Sequence, residues 1–128
     1  MKALIIDDSR AMRRILTKIV APLGFEVLEA ENGQEGFDRL QEAGDVEIVL
    51  VDWNMPVMNG LDFVKQVREL PEYETQKIMM VTTETEPSQM VRALMAGVDE
   101  FAMKPFTPEI LIEKMNLIGV SMPSAAAN

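Results

Sequence analysis

Polar residues that could handle phosphate follow directly on several short apolar runs of the sequence. These residues are Asp7, Asp8, Asp52, Thr82 and Lys104. Carboxylates can bind a divalent cation or attack phosphorus, while a hydroxyl and an ammonium can stabilise the oxygens of a phosphoryl group. The chain has no Cys and no His, which excludes thiolate nucleophiles, Ser-His-Asp triads and His or Cys metal ligands. Its chemistry must therefore depend on carboxylates, lysine, hydroxyls or a metal.

The apolar runs themselves predict buried strands. They cover residues 3–6, 25–28, 46–51, 78–81 and 101–103. Helical spacing of apolar residues follows each run, most clearly between a predicted cap at Ser9 and a stop at Gly24. Strands that alternate with helices in this way predict an α/β fold, a single doubly wound five-stranded parallel sheet with helices on both faces.

Ligands of an open α/β sheet bind beyond the carboxyl ends of its strands, so the polar residues that end the runs are expected to converge. Carboxylates about 4 Å apart repel each other by roughly 4 kcal/mol at an effective dielectric near 20. A site that holds Asp7, Asp8 and Asp52 therefore needs a cation, and Mg²⁺ is the ion that oxygen ligands with open positions favour, with Mn²⁺ as a substitute. We interpret Asp52 as the attacking carboxylate and Lys104 and Thr82 as groups that stabilise the transferred phosphoryl group.

Length and composition are those of one soluble globular domain. The chain has 128 residues, of which 48% are hydrophobic and 26% charged. We predict a packed domain over residues 1–119 and a flexible tail over residues 120–128. The net charge of -9 argues against direct binding of nucleic acid. The first apolar run is too short for a signal peptide or a membrane span, so we expect a cytoplasmic protein without membrane insertion.

In the order of its motifs the sequence resembles the receiver domains of two-component response regulators, most closely the single-domain CheY-type chemotaxis regulators. The motifs are Ile5-Ile6-Asp7-Asp8-Ser9, Asp52-Trp53-Asn54-Met55-Pro56, Met58-Asn59-Gly60, Val81-Thr82-Thr83-Glu84 and Lys104-Pro105-Phe106. The resemblance implies the flavodoxin-like strand order 2-1-3-4-5, which is the order known for CheY itself. It also implies a cis peptide bond between Lys104 and Pro105.

The resemblance assigns a role to each site residue. Asp52 would be the phosphoacceptor, Lys104 and Thr82 would contact the phosphoryl group, and Asp7 would act through a metal-bound water. The Mg²⁺ ligands would be the carboxylates of Asp8 and Asp52 and the backbone carbonyl of Asn54. Glu84 and Asn54 occupy the two positions that tune the lifetime of the acyl phosphate, and Trp53 is expected to report binding by its fluorescence.

The resemblance further implies a set of partners. A histidine kinase would donate the phosphoryl group, which agrees with the lack of His in this chain. The output target would be a protein such as the flagellar motor switch, and a phosphatase would be a further partner. The protein would be a monomer and would catalyse only its own phosphorylation and dephosphorylation.

Two residues depart from the CheY-type pattern. Phe101 stands where these regulators usually have a Tyr, and Thr83 stands where they commonly have an Ala. Both are expected to modulate switching or access to Asp52. With Met90 and Leu94, Phe101 is predicted to form an output surface, to which Val91 and Met95 also belong. The alternative is that all these apolar residues are core.

Three other functions are compatible with parts of this pattern. A single-domain relay or phosphate sink outside motility would use the same site. A Mg-dependent aspartate-nucleophile phosphatase would also use carboxylates, but such enzymes generally carry Asp-x-Asp, and this chain has Asp52-Trp53-Asn54. A flavodoxin-like electron carrier shares the fold, although no Gly-rich phosphate loop follows the first strand.

Overall fold

Five parallel strands form one sheet in a computed structural model that describes residues 1–123. The strands are β1 (Lys2–Ile6), β2 (Glu26–Ala30), β3 (Ile48–Val51), β4 (Lys77–Thr82) and β5 (Glu100–Met103). Their order in the sheet is β2-β1-β3-β4-β5, which confirms the predicted order. The helices are α1 (Arg10–Val20), α2 (Gly33–Ala43), α3 (Gly60–Arg68), α4 (Pro87–Ala96) and α5 (Pro108–Leu117).

The sheet separates two hydrophobic cores. One core lies under α2, α3 and α4 and includes Leu40, Phe63 and Phe101. The other lies under α1 and α5 and includes Leu16 and Leu111. Strands β1, β3 and β4 contribute alternate residues to the two cores because successive side chains of a strand point to opposite faces. Their nearly continuous apolar sequences are explained by burial on both sides.

Helix starts follow local capping chemistry. Ser9, Asn32, Asn59 and Thr107 each accept a hydrogen bond on the side-chain oxygen from the backbone N–H three residues later. The predicted cap at Ser9 is confirmed. Gly24, the predicted stop, has a φ of 102° and follows a short 3-10 turn, Ala21–Leu23, that extends α1. Glycine suits this left-handed backbone conformation because glycine has no Cβ.

Strand β2 begins and ends later than predicted. Its register is fixed by pairing with β1, from Lys2 opposite Glu26 to Ile6 opposite Ala30. Phe25, the first residue of the predicted strand, is buried before the strand begins. The apolar run gave the wrong bounds because β2 is an edge strand. An edge strand tolerates charged residues such as Glu26 and Glu29, so the strand extends beyond the apolar residues.

The chain beyond α5 stays packed for several residues. Val120 is buried, and its N–H donates to the Met115 carbonyl at 3.0 Å. The Ser121 N–H donates to Glu47 Oε2 at 2.9 Å. These contacts involve the first two residues of the predicted tail, 120–128, and the boundary after residue 119 stays a prediction. Residues 124–128 of the predicted tail lie outside the described residues, so its flexibility stays a prediction. Among the helices of residues 1–123, none is both long and apolar enough to cross a membrane.

Candidate functional site

The residues that could handle phosphate meet at one edge of the sheet. Asp7, Asp52 and Lys104 each come directly after a strand, β1, β3 and β5, and Thr82 is the last residue of β4. These four strands are neighbours in the sheet, and the carboxyl ends of parallel strands lie at the same edge. The structure thus brings together the side chains of Asp7, Asp8, Asp52 and Lys104. Thr82 ends the strand between those that lead to Asp52 and Lys104.

Three carboxylates form the centre of this site. Asp7, Asp8 and Asp52 each offer one oxygen, and these oxygens lie within 4.8 Å of one another. At that separation and an effective dielectric near 20, each charged pair repels by at least roughly 3.5 kcal/mol. Asp7 and Asp52 are buried, whereas Asp8 is exposed. The cluster therefore concentrates negative charge at a position that solvent reaches from the side of Asp8.

Among residues 1–123, Lys104 is the one cation within 4.0 Å of the carboxylate oxygens of this cluster. Its Nζ lies 3.0 Å from Asp7 Oδ2 and 3.3 Å from Asp52 Oδ2. The peptide bond between Lys104 and Pro105 is cis, as predicted. With three carboxylates and one ammonium, the site has a formal charge of -2. That charge matches one divalent cation.

The Asp52 carboxylate is held at both oxygens. Its Oδ1 accepts a hydrogen bond from the Trp53 N–H at 2.7 Å, and its Oδ2 faces Lys104. Asp52 is only 9% exposed. Burial raises the pKa of Asp52 above its ordinary value and the charge of Asp7 adds to this, against the lowering effects of Lys104 and the Trp53 N–H. Asp52 is therefore an oriented and poorly solvated carboxylate.

Asp7 is fixed from three sides. Its Oδ1 accepts from the Ser9 N–H at 2.8 Å, and its Oδ2 accepts from Lys104. The Asp7 carbonyl accepts from the Arg13 guanidinium at 2.7 Å. Sequence reasoning missed Arg13, which is buried in α1. Its spacing was a usable signal, since position 13 lies three residues before Leu16 and seven before Val20 on the buried stripe of the helix.

Gly60 was also missed as a site residue. A Cβ at this position would collide with the Asp52 carbonyl oxygen. The Gly60 N–H donates to the Trp53 carbonyl at 2.8 Å, so α3 begins in direct contact with the backbone of the candidate phosphoacceptor. The signal in the sequence was the Asn59-Gly60 pair, in which the helix cap is followed by a residue without a side chain.

Thr82 and the residues after it border the site from β4. Thr82 is fully buried, and its hydroxyl oxygen accepts from the Glu84 N–H at 3.2 Å. Thr83 is exposed and Glu84 is half-buried. The Glu84 carboxylate accepts a hydrogen bond from the Glu86 N–H at 2.8 Å. Asn54 is exposed on the loop after Asp52. The predicted influence of Thr83, Glu84 and Asn54 on phosphorylation stays a prediction.

The predicted output surface is only partly on the outside. Leu94 is 50% and Met95 84% exposed, and Val91 is also exposed, so the alternative that these residues are all core is wrong. Met90 is half-buried against the core. Phe101 is 6% exposed and lies in the core in this conformation, not on the surface. Any contribution of its ring to partner binding needs a movement that stays a prediction.

The site residues fit a magnesium ion. The ligands on offer are hard carboxylate oxygens, as Mg²⁺ requires, and the open side at Asp8 leaves room for water and phosphate oxygens. The formal charge of -2 is the charge that such an ion would neutralise. The described residues thus provide both the ligand type and the electrostatic demand for this metal.

Comparison with known families agrees with this site. Residues 3–116 match the family described as "Response regulator receiver domain". The match runs from the second residue of β1 into α5 and includes the other four strands in full. The chain belongs to the response regulator receiver domain family.

Individual relatives narrow the similarity further. A protein named "Chemotaxis protein CheY homolog" from Campylobacter jejuni is 46% identical over 129 residues, which cover 99% of each chain. "Chemotaxis protein CheY1" from Helicobacter pylori is 45% identical over 119 residues, 92% of this chain and 96% of the relative. Among solved structures, the chemotaxis protein CheY4 of Vibrio cholerae superposes with a TM-score of 0.85 at 35% identity, covering 91% of this chain and 97% of that one.

These comparisons bear on the competing functions. The family match and the relatives favour a phosphoacceptor response regulator. They do not favour the relay or sink outside motility, the aspartate-nucleophile phosphatase or the flavodoxin-like electron carrier. Asn54, at the position where the phosphatase pattern would need a second Asp, agrees with this outcome.

Proposed function

We propose that this receiver domain is a chemotaxis switch that accepts a phosphoryl group on Asp52 from a partner histidine kinase. The observation that carries the proposal is the cluster of the Asp7, Asp8 and Asp52 carboxylates with Lys104 beside it, whose Nζ lies 3.3 Å from Asp52 Oδ2. The names of the similar proteins from Campylobacter jejuni and Helicobacter pylori support the chemotaxis role. The protein would catalyse only its own phosphorylation and dephosphorylation.

The residues divide the work of phosphoryl transfer among them. An Asp52 carboxylate oxygen attacks the phosphorus, and a new O–P bond forms as the P–N bond to the donor histidine breaks. The imidazole nitrogen keeps the electron pair of the broken bond. Lys104 and the Thr82 hydroxyl stabilise the transferred oxygens. Burial favours the reaction because Asp52 carries little hydration that must be lost.

Magnesium is the cofactor that we propose for this site, with Mn²⁺ as a substitute. Asp8, Asp52 and the Asn54 carbonyl would hold the ion, and Asp7 would act through a bound water. The ion would neutralise charge on the phosphoryl oxygens. The support is the ligand chemistry and the formal charge of -2 of the described cluster.

The output partner would bind the exposed side of α4 together with β5 and α5. Leu94 and Met95 supply exposed apolar surface there. Phosphorylation would draw Thr82 toward Asp52 and release its hydrogen bond with the Glu84 N–H. Because Glu84 in turn binds the Glu86 N–H just before α4, that movement has a direct route to the helix. A flagellar motor switch protein is the proposed target, and a phosphatase is a further proposed partner.

Mass spectrometry of the intact protein tests the phosphoacceptor. The chain is incubated with a small phosphodonor such as acetyl phosphate, with Mg²⁺ or with a chelator. We expect the wild type to gain the mass of one phosphoryl group only with Mg²⁺, and Asp52→Asn to gain none. Asp45→Asn, an exposed carboxylate away from the site, is the matched control and should react like the wild type. A gain in Asp52→Asn equal to that of the wild type would refute the proposal.

A separate experiment tests the output partner. Binding of a motor switch protein from the same organism is measured with and without the phosphodonor. We expect phosphorylation to tighten binding, and Leu94→Ser with Met95→Ser to abolish the gain while phosphorylation of Asp52 continues. Phosphorylation without any change in binding would leave the phosphoacceptor intact and reject this target.

A further inference from the structure

A cationic groove crosses the β2 edge of the sheet, with none of the three clustered carboxylates and no residue of α4 in its lining. It has a volume of about 640 Å³ and runs between α1 and α2. Five of the twelve cationic residues of the chain line it. They are Arg10, Arg13, Arg14, Lys18 and Arg39.

Only two of these cations are neutralised by neighbouring carboxylates. Arg13 binds Glu29 at 3.0 Å and lies 3.9 Å from Glu31, and Arg39 lies 4.0 Å from Glu35. The other three cations have no carboxylate oxygen within 4.0 Å among residues 1–123. They are Arg10, Arg14 and Lys18, and all three are exposed. The groove therefore holds uncompensated positive charge.

This charge stands against an acidic background. The five cations and the three glutamates of the groove sum to +2. Since the whole chain carries -9, the remainder carries -11. An anionic partner is repelled by most of the surface and attracted at this groove, which selects both the partner and its orientation.

The three free cations form a regular row. Positions 10, 14 and 18 are four residues apart, so they lie along one side of α1 with a rise of about 6 Å between neighbours. Alternate residues of an extended chain are about 6.6 Å apart. A carboxylate at every second residue of an extended segment would therefore face each cation in turn.

We propose that this groove binds an extended acidic segment of a partner protein, with Asp or Glu at three alternate positions. The carboxylates of the segment pair with Arg10, Arg14 and Lys18, and Arg39 flanks the segment from α2. The groove lies at the β2 edge and the α4 surface beside β5 at the opposite edge. One molecule can therefore hold an acidic segment and an output partner at the same time.

Edge protection and nucleic-acid binding each account for less of the groove. Charged side chains protect a sheet edge from pairing with another chain, and this explains Arg13 and Glu29 over β2. It does not explain a row of unpaired cations on α1. Nucleic acid would need many neutralised phosphates for affinity, whereas the row is only about 12 Å long and the rest of the chain is strongly acidic.

A peptide titration tests the proposal on the unphosphorylated chain, so its result is independent of the phosphoacceptor function. The probe is a peptide with three Glu at alternate positions separated by Ser, followed by NMR of the isotope-labelled chain at low salt. We expect chemical-shift changes confined to α1, β2 and α2. A peptide with Gln in place of Glu should cause none, and one with three consecutive Glu should bind more weakly.

Two double variants provide the matched comparison. Arg14→Gln with Lys18→Gln should raise the Kd roughly fivefold, as expected for two exposed ion pairs. Lys65→Gln with Arg92→Gln removes the same charge from exposed positions on α3 and α4 and should leave the Kd within about twofold. Equal losses in both, or shifts scattered over the surface, would overturn the proposal. Tighter binding of a single-stranded oligonucleotide of equal charge would show that the groove binds nucleic acid and would overturn the acidic segment as its ligand.

Discussion

The Nζ of Lys104 lies 3.3 Å from Oδ2 of Asp52, so a single cation faces the candidate phosphoacceptor before any phosphoryl group arrives. The same ammonium contacts Asp7 at 3.0 Å. Lys104 therefore has two roles to separate. It compensates the carboxylates of the resting site, and it would stabilise the transferred oxygens.

Replacement of Lys104 by Met should slow phosphorylation of Asp52 by about 100-fold, the usual cost of losing one preorganised electrostatic contact. The measurement is the rate of mass gain with acetyl phosphate and Mg²⁺. Lys65→Met, which removes an exposed lysine of α3, should react at the wild-type rate. A rate for Lys104→Met within twofold of wild type would contradict the role given to Lys104.

Asp52→Asn should stabilise the protein near pH 7, by on the order of 1 kcal/mol. The pKa of Asp52 is raised in the folded state, so protonation of Asp52 stabilises the folded wild type. This stabilisation is fully present below the unfolded pKa of about 3.9 and is lost as the pH rises through the folded pKa. The advantage of Asp52→Asn should therefore be largest above the folded pKa and shrink as the pH falls. Urea denaturation with a chelator at several pH values measures it, and an advantage that grows toward low pH would give the wrong sign.

Mg²⁺ should stabilise the wild type, because a ligand that binds only the folded state adds RT ln(1 + [L]/Kd), or about 1.4 kcal/mol at ten times Kd. Asp8→Asn removes an exposed carboxylate of the cluster and should raise the Kd for Mg²⁺ by roughly tenfold or more. Melting temperature and Trp53 fluorescence report the binding. Asp45→Asn should retain the full Mg²⁺ effect, and loss of the effect in that variant would point to diffuse screening instead of a site.

Gly60→Ala should cost at least about 2 kcal/mol of folding free energy, because the new Cβ collides with the Asp52 carbonyl. The comparison is Gly119→Ala, where the φ of 82° is positive but the nearest atom lies 3.9 Å from the added Cβ. That variant should lose only the conformational term, about 1 kcal/mol. Denaturation of both variants distinguishes crowding from backbone strain, and equal losses would remove the special role of Gly60.

Much of the site was predictable because it depends on strand ends. Buried parallel strands leave a strong apolar signal, and the residues after them must meet at one edge. Asp7, Asp52, Thr82 and Lys104 could therefore be placed together without coordinates. Their environment could not, since the raised pKa of Asp52 depends on burial and on distances to Asp7 and Lys104.

Features created by pairing and by long side chains were harder to predict. The bounds of β2 depend on its register with β1, which an edge strand with two glutamates does not reveal. Arg13 lies on the buried side of α1 and bonds to the Asp7 carbonyl, although arginine is usually exposed. The cationic groove joins α1 to α2 across the sheet edge, a proximity that only the folded topology supplies.

Both proposed partner surfaces lie where the two hydrophobic cores meet around an edge strand. At the β2 edge, α1 belongs to one core and α2 to the other. At the β5 edge the same is true of α5 and α4. Because the sheet keeps the cores apart, we expect mutations inside one core to reshape half of each surface and leave the other half in place. Partner preference can then change during evolution through substitutions in one core, which alter one half of a partner surface, while the residues at the phosphoacceptor edge of the sheet stay the same.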